Sequence, residues 1–442
     1  MTVYYAEHAW LPRGPATSVR LTVEGGRFTA IELHSHLHHD DVPLPGVVLP
    51  GLANTHSHAF HRALRGRTQG GHGNFWTWRE AMYSVAQRLS PDSYLALARA
   101  TYAEMALAGT TVVGEFHYLH HTPVGRPYAD PNVMGEALVQ AAADAGIRLT
   151  LLDTCYLAGG LTGEGHVPLD DRQRRFSDGS VEAWATRAAA RTPHPGLRLG
   201  AAIHSVRAVP RDDLAAIAAR VGEQPLHIHL SEQPGENVAA SVYYGRTPTE
   251  LLADTGLLRP TLTAVHATHL TDVDIALLGD AEAQVSFCPT TERDLADGIG
   301  PARHLADAGV SISLGSDQHA VIDPFEEMRG LEMHERLLSG ERGRFSPDEL
   351  VEAATAAGYR SLGWEDGGAL AVGHLADLVA VRDDTVRTVG VRAGQIPYAA
   401  TAADVDTVIV GGVVVVERGE HVRLGSIGPL LRDAFDILRD ER

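Results

Sequence analysis

Eight short apolar segments, spread through the middle of the chain and separated by stretches of helical character, constrain the fold more than any other feature. They cover residues 47–53, 110–114, 148–152, 197–203, 225–228, 262–265, 283–287 and 310–314. Between the first two, Ser90-Pro91 precedes apolar positions running to Leu107, with Gly109 beyond. That is an N-cap, a first-turn proline and a C-terminal glycine. Residues 212–221, 247–254 and 348–357 have similar character. Eight strands alternating with helices predict a (β/α)8 barrel, an α/β fold of the TIM type.

The two ends of the chain read differently. Residues 18–23 alternate polar and apolar side chains, Gly25-Gly26 marks a turn, and residues 27–33 resume a strand. Residues 375–381 form another short apolar strand, and 405–410, Gly411-Gly412 and 413–417 make a strong hairpin signal. At 442 residues the chain exceeds one ordinary core. The expectation is a small composite β-sandwich domain built from residues 1–48 and 368–442, with the barrel domain over 49–367.

In a barrel of this kind the chemistry sits where strands end, at the carboxyl-terminal face. The first segment runs into Asn54-Thr55-His56-Ser57-His58, and residues two apart on a strand point the same way, so both imidazoles can reach one metal. His-x-His alone is weak: His34-Ser35-His36 has the same spacing and reads as a solvated loop. The fifth segment contains His227 and His229, with Glu232 three residues on, and spacing leaves open which histidine binds. The sixth ends at His266 and the eighth runs into Gly315-Ser316-Asp317. A carboxylate there completes a His-rich metal site or acts as a general base. Four such arrivals at strand ends together point to a metal centre.

Composition narrows the chemistry further. All 37 cations of the Lys+Arg count are arginine, so no lysine is present to form a Schiff base or a carbamate bridging two metals. The net charge of −19 argues against nucleic acid and anionic membranes as partners. No run approaches the length of a membrane helix, and the first residues lack a basic region followed by an apolar one. A cytoplasmic location is the default expectation. Cys155 and Cys288 read as buried thiols.

The set Pro50-Gly51, His56-Ser57-His58, His229-x-x-Glu232, His266 and Gly315-Ser316-Asp317 resembles the amidohydrolase superfamily. Longer motifs narrow the likeness to its N-formimidoyl-L-glutamate deiminases of histidine degradation: Phe75 to Glu80, Gly114 to His121, His204 to Val209, and Cys288-Pro289-Thr290-Thr291-Glu292. The resemblance implies one Zn2+ per chain on His56, His58, His229 and Asp317. The absence of lysine agrees with a mononuclear site; Fe2+ or Mn2+ would fit it in part. The resemblance further implies Asp317 taking a proton from water, His266 stabilising the tetrahedral species and Glu232 protonating the leaving nitrogen. A homodimer and a small dicarboxylate substrate follow from the same likeness. It assigns Arg79, Tyr118, His204 and Arg207 to substrate binding, together with His61, where the family commonly has glutamine.

Trp76 and Trp78 read as packing, and His117, His120, His121, His269 and His319 as structural, the last two also suiting partners that orient ligands. Arg293-Asp294-Leu295 carries no assigned role. Two alternatives remain at this level: a deaminase of a cyclic amidine such as an aminated purine, and a metal-binding protein without catalysis.

Overall fold

The computed structural model of the protein describes residues 1–70 and 72–440. Its first segment forms β1 (Thr2–Leu11), β2 (Gly14–Glu24), β3 (Arg27–Glu32) and β4 (Val42–Pro50). The chain then enters a second sheet through β5 (Leu52–Ser57), β6 (Thr110–His117) and β7 (Arg148–Cys155). A small hairpin follows, β8 (Gly160–Thr162) and β9 (Gly165–Val167). The second sheet continues with β10 (Leu197–Ile203), β11 (Leu226–Leu230), β12 (Leu262–His266), β13 (Gln284–Phe287) and β14 (Ser311–Leu314). Finally β15 (Leu378–Val381), β16 (Val405–Val410), β17 (Val413–Glu417) and β18 (Glu420–His421) rejoin the first sheet.

The eight central strands pair in parallel, in chain order, from β5 to β14. Backbone bonds close the ring: the His56 carbonyl accepts from Ser316 N at 3.2 Å and Asp317 N at 2.9 Å, and Ser57 bridges Asp317. This is the expected (β/α)8 barrel. Both chain ends meet in one separate mixed sheet of order β18-β17-β16-β15-β4-β1-β2-β3. Its side chains alternate with period two. Val48, Leu378 and Ala380 face a core shared with Tyr4, Leu21 and Ile409, whereas Val47, Leu49, Val379 and Val381 turn to the barrel's core. The helix Ile427–Asp440 packs on the barrel helix Pro91–Leu107.

One expected strand is corrected. The apolar run 47–53 is two strands, not one: residues up to Pro50 finish β4, and the first barrel strand starts at Leu52. Both pieces are buried, so no polar residue marks the crossing. The only mark is Gly51, where a Cβ would lie 2.3 Å from Thr111 Oγ1 and 2.9 Å from Asp377 Cβ. The hairpin at Gly411-Gly412 forms as its signal predicts, with φ of 57° and 77°, both left-handed. Ser90 caps the helix Pro91–Leu107 by accepting from Ser93 N.

The amino-terminal end of the barrel is plugged by the helix Ala356–Ser361 and the residues after it. Thr111 Oγ1 meets Tyr359 OH at 2.6 Å, and Thr150 Oγ1 donates to the Leu362 carbonyl at 2.8 Å. Asp377 ties this end to the mixed sheet. It accepts from both arms of Arg148 at 2.7 and 2.9 Å, from Tyr359 OH at 2.8 Å and from Gly411 N at 2.6 Å. Replacing Asp377 with alanine leaves the Arg148 charge buried and unpaired. A loss of about 3–5 kcal/mol is expected, read from the denaturant midpoint; an unchanged midpoint would show that the tie is dispensable. Among the described residues no helix is long and apolar enough to cross a membrane.

Candidate metal centre and active site

Three imidazoles and one carboxylate converge at the open end of the barrel. His229 Nε2 lies 3.2 Å from His56 Nε2 and 3.4 Å from His58 Nε2. Asp317 Oδ1 lies 3.4 Å from the Nε2 atoms of both His56 and His58. In a tetrahedron with metal–ligand bonds of about 2.0–2.1 Å, the ligand atoms stand roughly 3.3 Å apart. These four separations match that spacing; His56, His58 and His229 form one group able to hold a metal ion, and Asp317 joins His56 in a second and His58 in a third.

The chemistry of the donors agrees. His58 Nδ1 sits 2.9 Å from the Phe116 carbonyl and His229 Nδ1 2.8 Å from the His204 carbonyl. A carbonyl only accepts, so each Nδ1 carries the hydrogen and each Nε2 presents a lone pair. Burial holds His56, His58 and His229 well below the ordinary histidine range. The lone pairs of His58 and His229, facing each other beside His56, could hold a cation between them.

Strand geometry explains the choice that spacing left open. His227 and His229 both point into the barrel, but in successive layers. His227 Nε2 bonds to the Ser361 carbonyl in the plug at 3.1 Å, which leaves His229 to face His56 and His58. The ends of β5 and β14 are fixed by a buried network. Asn54 Nδ2 donates to Ser316 Oγ at 2.6 Å, Ser316 Oγ meets His319 Nδ1 at 2.9 Å, and His319 Nε2 meets Ser57 Oγ at 3.2 Å. Glu115 accepts from Ser57 Oγ at 2.6 Å and from Ala59 N at 2.7 Å. His319 thus belongs to the frame behind the ligands. His269 does not, bonding instead to the Asp297 carbonyl at 2.8 Å.

Strain gathers at the same strand ends. Ser231, His266, Ala267, Asp317 and His319 all have left-handed φ, from 43° to 69°. Each such residue costs about 1–3 kcal/mol, a cost that clusters at sites where side-chain aim matters.

Beside these donors lies a cluster of titratable side chains around His266. His266 Nε2 lies 3.8 Å from Glu232 Oε1 and 3.9 Å from Asp317 Oδ2, and its Nδ1 lies 3.5 Å from Glu292 Oε1. Burial alone would lower the His266 pKa, but the carboxylates Glu232, Glu292 and Asp317 outweigh it and raise the value to about 10. Burial pushes Glu232 and Asp317 above the usual carboxylate range, a tendency that a bound cation opposes at Asp317. Glu292 is the residue whose part the motif did not disclose. It accepts from Cys288 N at 2.8 Å and so faces His266 from a fixed position.

The expected substrate-binding residues line the same pocket. His61 Nε2 meets Tyr118 OH at 3.1 Å, and burial pushes the His61 pKa down to about 3. His204 packs edge-on to the Tyr156 ring at 4.5 Å. Arg207 pairs with Glu236 at 3.0 Å and lies 3.6 Å from Glu232. Arg79, on the helix Phe75–Ala86, is half-buried. It donates from Nε to Tyr83 OH at 2.6 Å and from Nη2 to the Gly159 carbonyl at 3.4 Å. Trp78 is buried and lines the pocket; Trp76 is exposed. His117, His120 and His121 are buried outside the metal cluster, His120 on the Thr154 carbonyl and His121 on Asp178. His34 and His36 are exposed, as a solvated loop requires. Sequence reasoning missed Tyr83, Tyr156 and Phe176, pocket residues that carry no motif.

Residues 47–415 match the Amidohydrolase family. The chain is 37% identical over 450 residues to a formimidoylglutamate deiminase of Pseudomonas aeruginosa, covering 95% of this chain and 96% of that protein. It is 30% identical over 395 residues to a 5-methylthioadenosine/S-adenosylhomocysteine deaminase of Natronomonas pharaonis, covering 88% and 85% of the two chains. The crystal structure of an amidohydrolase from Brucella melitensis superposes with a TM-score of 0.90 at 32% identity, covering 99% of this chain and 100% of that one.

Proposed function

The chain belongs to the amidohydrolase family, and on that premise we propose that it is a zinc-dependent deiminase converting N-formimidoyl-L-glutamate and water into N-formyl-L-glutamate and ammonia. Family membership carries the coarser statement: it is a hydrolase acting on C–N bonds. The observation that carries the substrate is Arg79. Its guanidinium lines the pocket on phenol and carbonyl oxygens, with no carboxylate at ion-pair distance among the described residues. A half-buried cation of that kind suits a carboxylate of the ligand. In a chain of net charge −19 such a local positive spot is what a dianion needs to enter.

His56, His58, His229 and Asp317 would hold the metal. A zinc ion there supplies Lewis acidity and lowers the pKa of water toward about 7. Asp317 Oδ2, turned toward His266, takes the proton of the attacking water. Protonated His266 places positive charge where the tetrahedral carbon's substituents become negative. The two water protons reach the terminal nitrogen in turn, the first from Asp317 and the second from the carbon-bound hydroxyl, with Glu232 delivering each. The C–N bond to that nitrogen breaks, ammonia leaves, and the carbon keeps the water oxygen as a formyl group. Glu292 holds His266 in place and touches no reacting atom.

A cyclic amidine is the second reading, favoured by kinship to the methylthioadenosine deaminase and by the aromatic Phe75, Trp78 and Phe176 in the pocket wall. Product analysis separates the bonds at issue. The zinc-loaded protein is expected to release ammonia and N-formyl-L-glutamate in equal amounts from formimidoylglutamate; glutamate with formamide would mean that the other C–N bond breaks.

A further inference from the structure

We propose that Gln173 turns the hydroxyls of Tyr83 and Tyr156 toward the pocket, so that with Arg79 they form a subsite for one carboxylate of the ligand. The inference rests on the dicarboxylate reading above and adds to it Gln173, Tyr156 and a ligand-binding role for the Tyr83 hydroxyl.

Gln173 is 3% exposed. Its Nε2 lies 3.0 Å from three oxygens: Tyr83 OH, Tyr156 OH and the Gly159 carbonyl. Its Oε1 accepts from Asp170 N at 3.0 Å, which fixes which end of the amide is which. An amide nitrogen donates and never accepts. Its two hydrogens are shared among the three oxygens, and neither phenol can donate to Gln173. Tyr83 also accepts from Arg79 Nε, another atom that can only donate. Each phenol keeps its own hydrogen for a different acceptor, and both rings line the pocket. Burial raises the Tyr83 phenol above its ordinary pKa, so it stays a donor.

Gln173 and Arg79 also share their remaining partner, since Arg79 Nη2 reaches the same Gly159 carbonyl. The amide thus contacts the Tyr83 hydroxyl and the Gly159 carbonyl, two of the groups that hold the guanidinium. The turn Gln173–Phe176 is itself bolted to the helix carrying Arg79. Arg172 pairs with Glu80 at 2.6 Å, Gln87 Nε2 donates to the Arg172 carbonyl at 3.0 Å, and the buried Arg175 donates to the Ala86 carbonyl. Two hydroxyl hydrogens and a guanidinium, aimed by one buried donor, match the acceptor-only chemistry of a carboxylate.

Gln173→Glu tests this directly, because it keeps the size and reverses the polarity. A glutamate would accept from the phenols and turn their hydrogens away from the pocket. Calorimetric titration of zinc-loaded protein with N-formyl-L-glutamate and with each of its two monoamides is the measurement. The variant is expected to bind N-formyl-L-glutamate roughly 10- to 100-fold more weakly than wild type, with the penalty absent for one monoamide. Equal affinity for variant and wild type, the same loss for all three ligands, or no binding by wild type would overturn the subsite. Tyr156→Phe removes a single hydroxyl and carries the same ligand comparison if Gln173→Glu does not fold. Ammonia release is read separately. A wild type that binds N-formyl-L-glutamate with the expected selectivity but releases no ammonia from formimidoylglutamate would end the reaction reading and leave the subsite standing.

Discussion

Replacing Glu232 with glutamine is expected to lower kcat by about 10²- to 10⁴-fold while leaving the zinc content as in wild type. The side chain follows β11, three residues beyond His229, and is buried beside His266 at 3.8 Å and Arg207 at 3.6 Å. Glutamine has the same size and keeps those neighbours, so packing and the metal donors are untouched. What it cannot do is carry a proton between water and nitrogen. Without that proton the departing group would leave as an amide anion, a far worse leaving group than ammonia. Metal analysis and steady-state rates on one preparation check both halves of the expectation. A variant with full metal and a kcat within a few-fold of wild type would remove Glu232 from proton transfer.

Asp317→Ala should have the larger effect, because Asp317 faces two ways. Oδ1 stands 3.4 Å from two of the imidazole nitrogens, and Oδ2 stands 3.9 Å from His266. The substitution removes a metal donor and the base for the attacking water together. Activity is expected to fall to background, a loss of more than about 10⁴-fold, and added zinc should not restore it. Wild type stripped by a chelator should regain activity on adding zinc. It should also unfold at a lower temperature when stripped, since a ligand that binds only the folded chain stabilises it by mass action. An Asp317→Ala protein that keeps a full equivalent of tightly held zinc would contradict the four-donor centre. Two equivalents in wild type would contradict a mononuclear one.

The barrel and its metal-side donors were legible because they obey short periods. Strand segments are short, apolar and separated by helical stretches, and His56 and His58, two apart, had to share a side. Legibility failed where the deciding term was three-dimensional. Nothing local separates His227 from His229; one meets the plug at Ser361 and the other faces His56. The run 47–53 hid a change of sheet because both halves are buried, and Gly51 alone records it. Glu292 stood in a motif, yet its purpose depends on how the helix Pro289–Asp294 swings back to His266. Tyr83, Tyr156 and Gln173 come from separate segments, and only the fold makes them neighbours. The arginines were uninformative as a choice over lysine, since the chain uses no other cation; Arg79 gained meaning from its surroundings.

The central claim, a zinc deiminase that takes a linear amidine flanked by carboxylates, is tested most directly by ammonia release from zinc-loaded wild type, measured in parallel on N-formimidoyl-L-glutamate and 5′-methylthioadenosine. Saturable release from formimidoylglutamate, with none from the nucleoside, is the predicted result. Release from the nucleoside, with none from formimidoylglutamate, would contradict it.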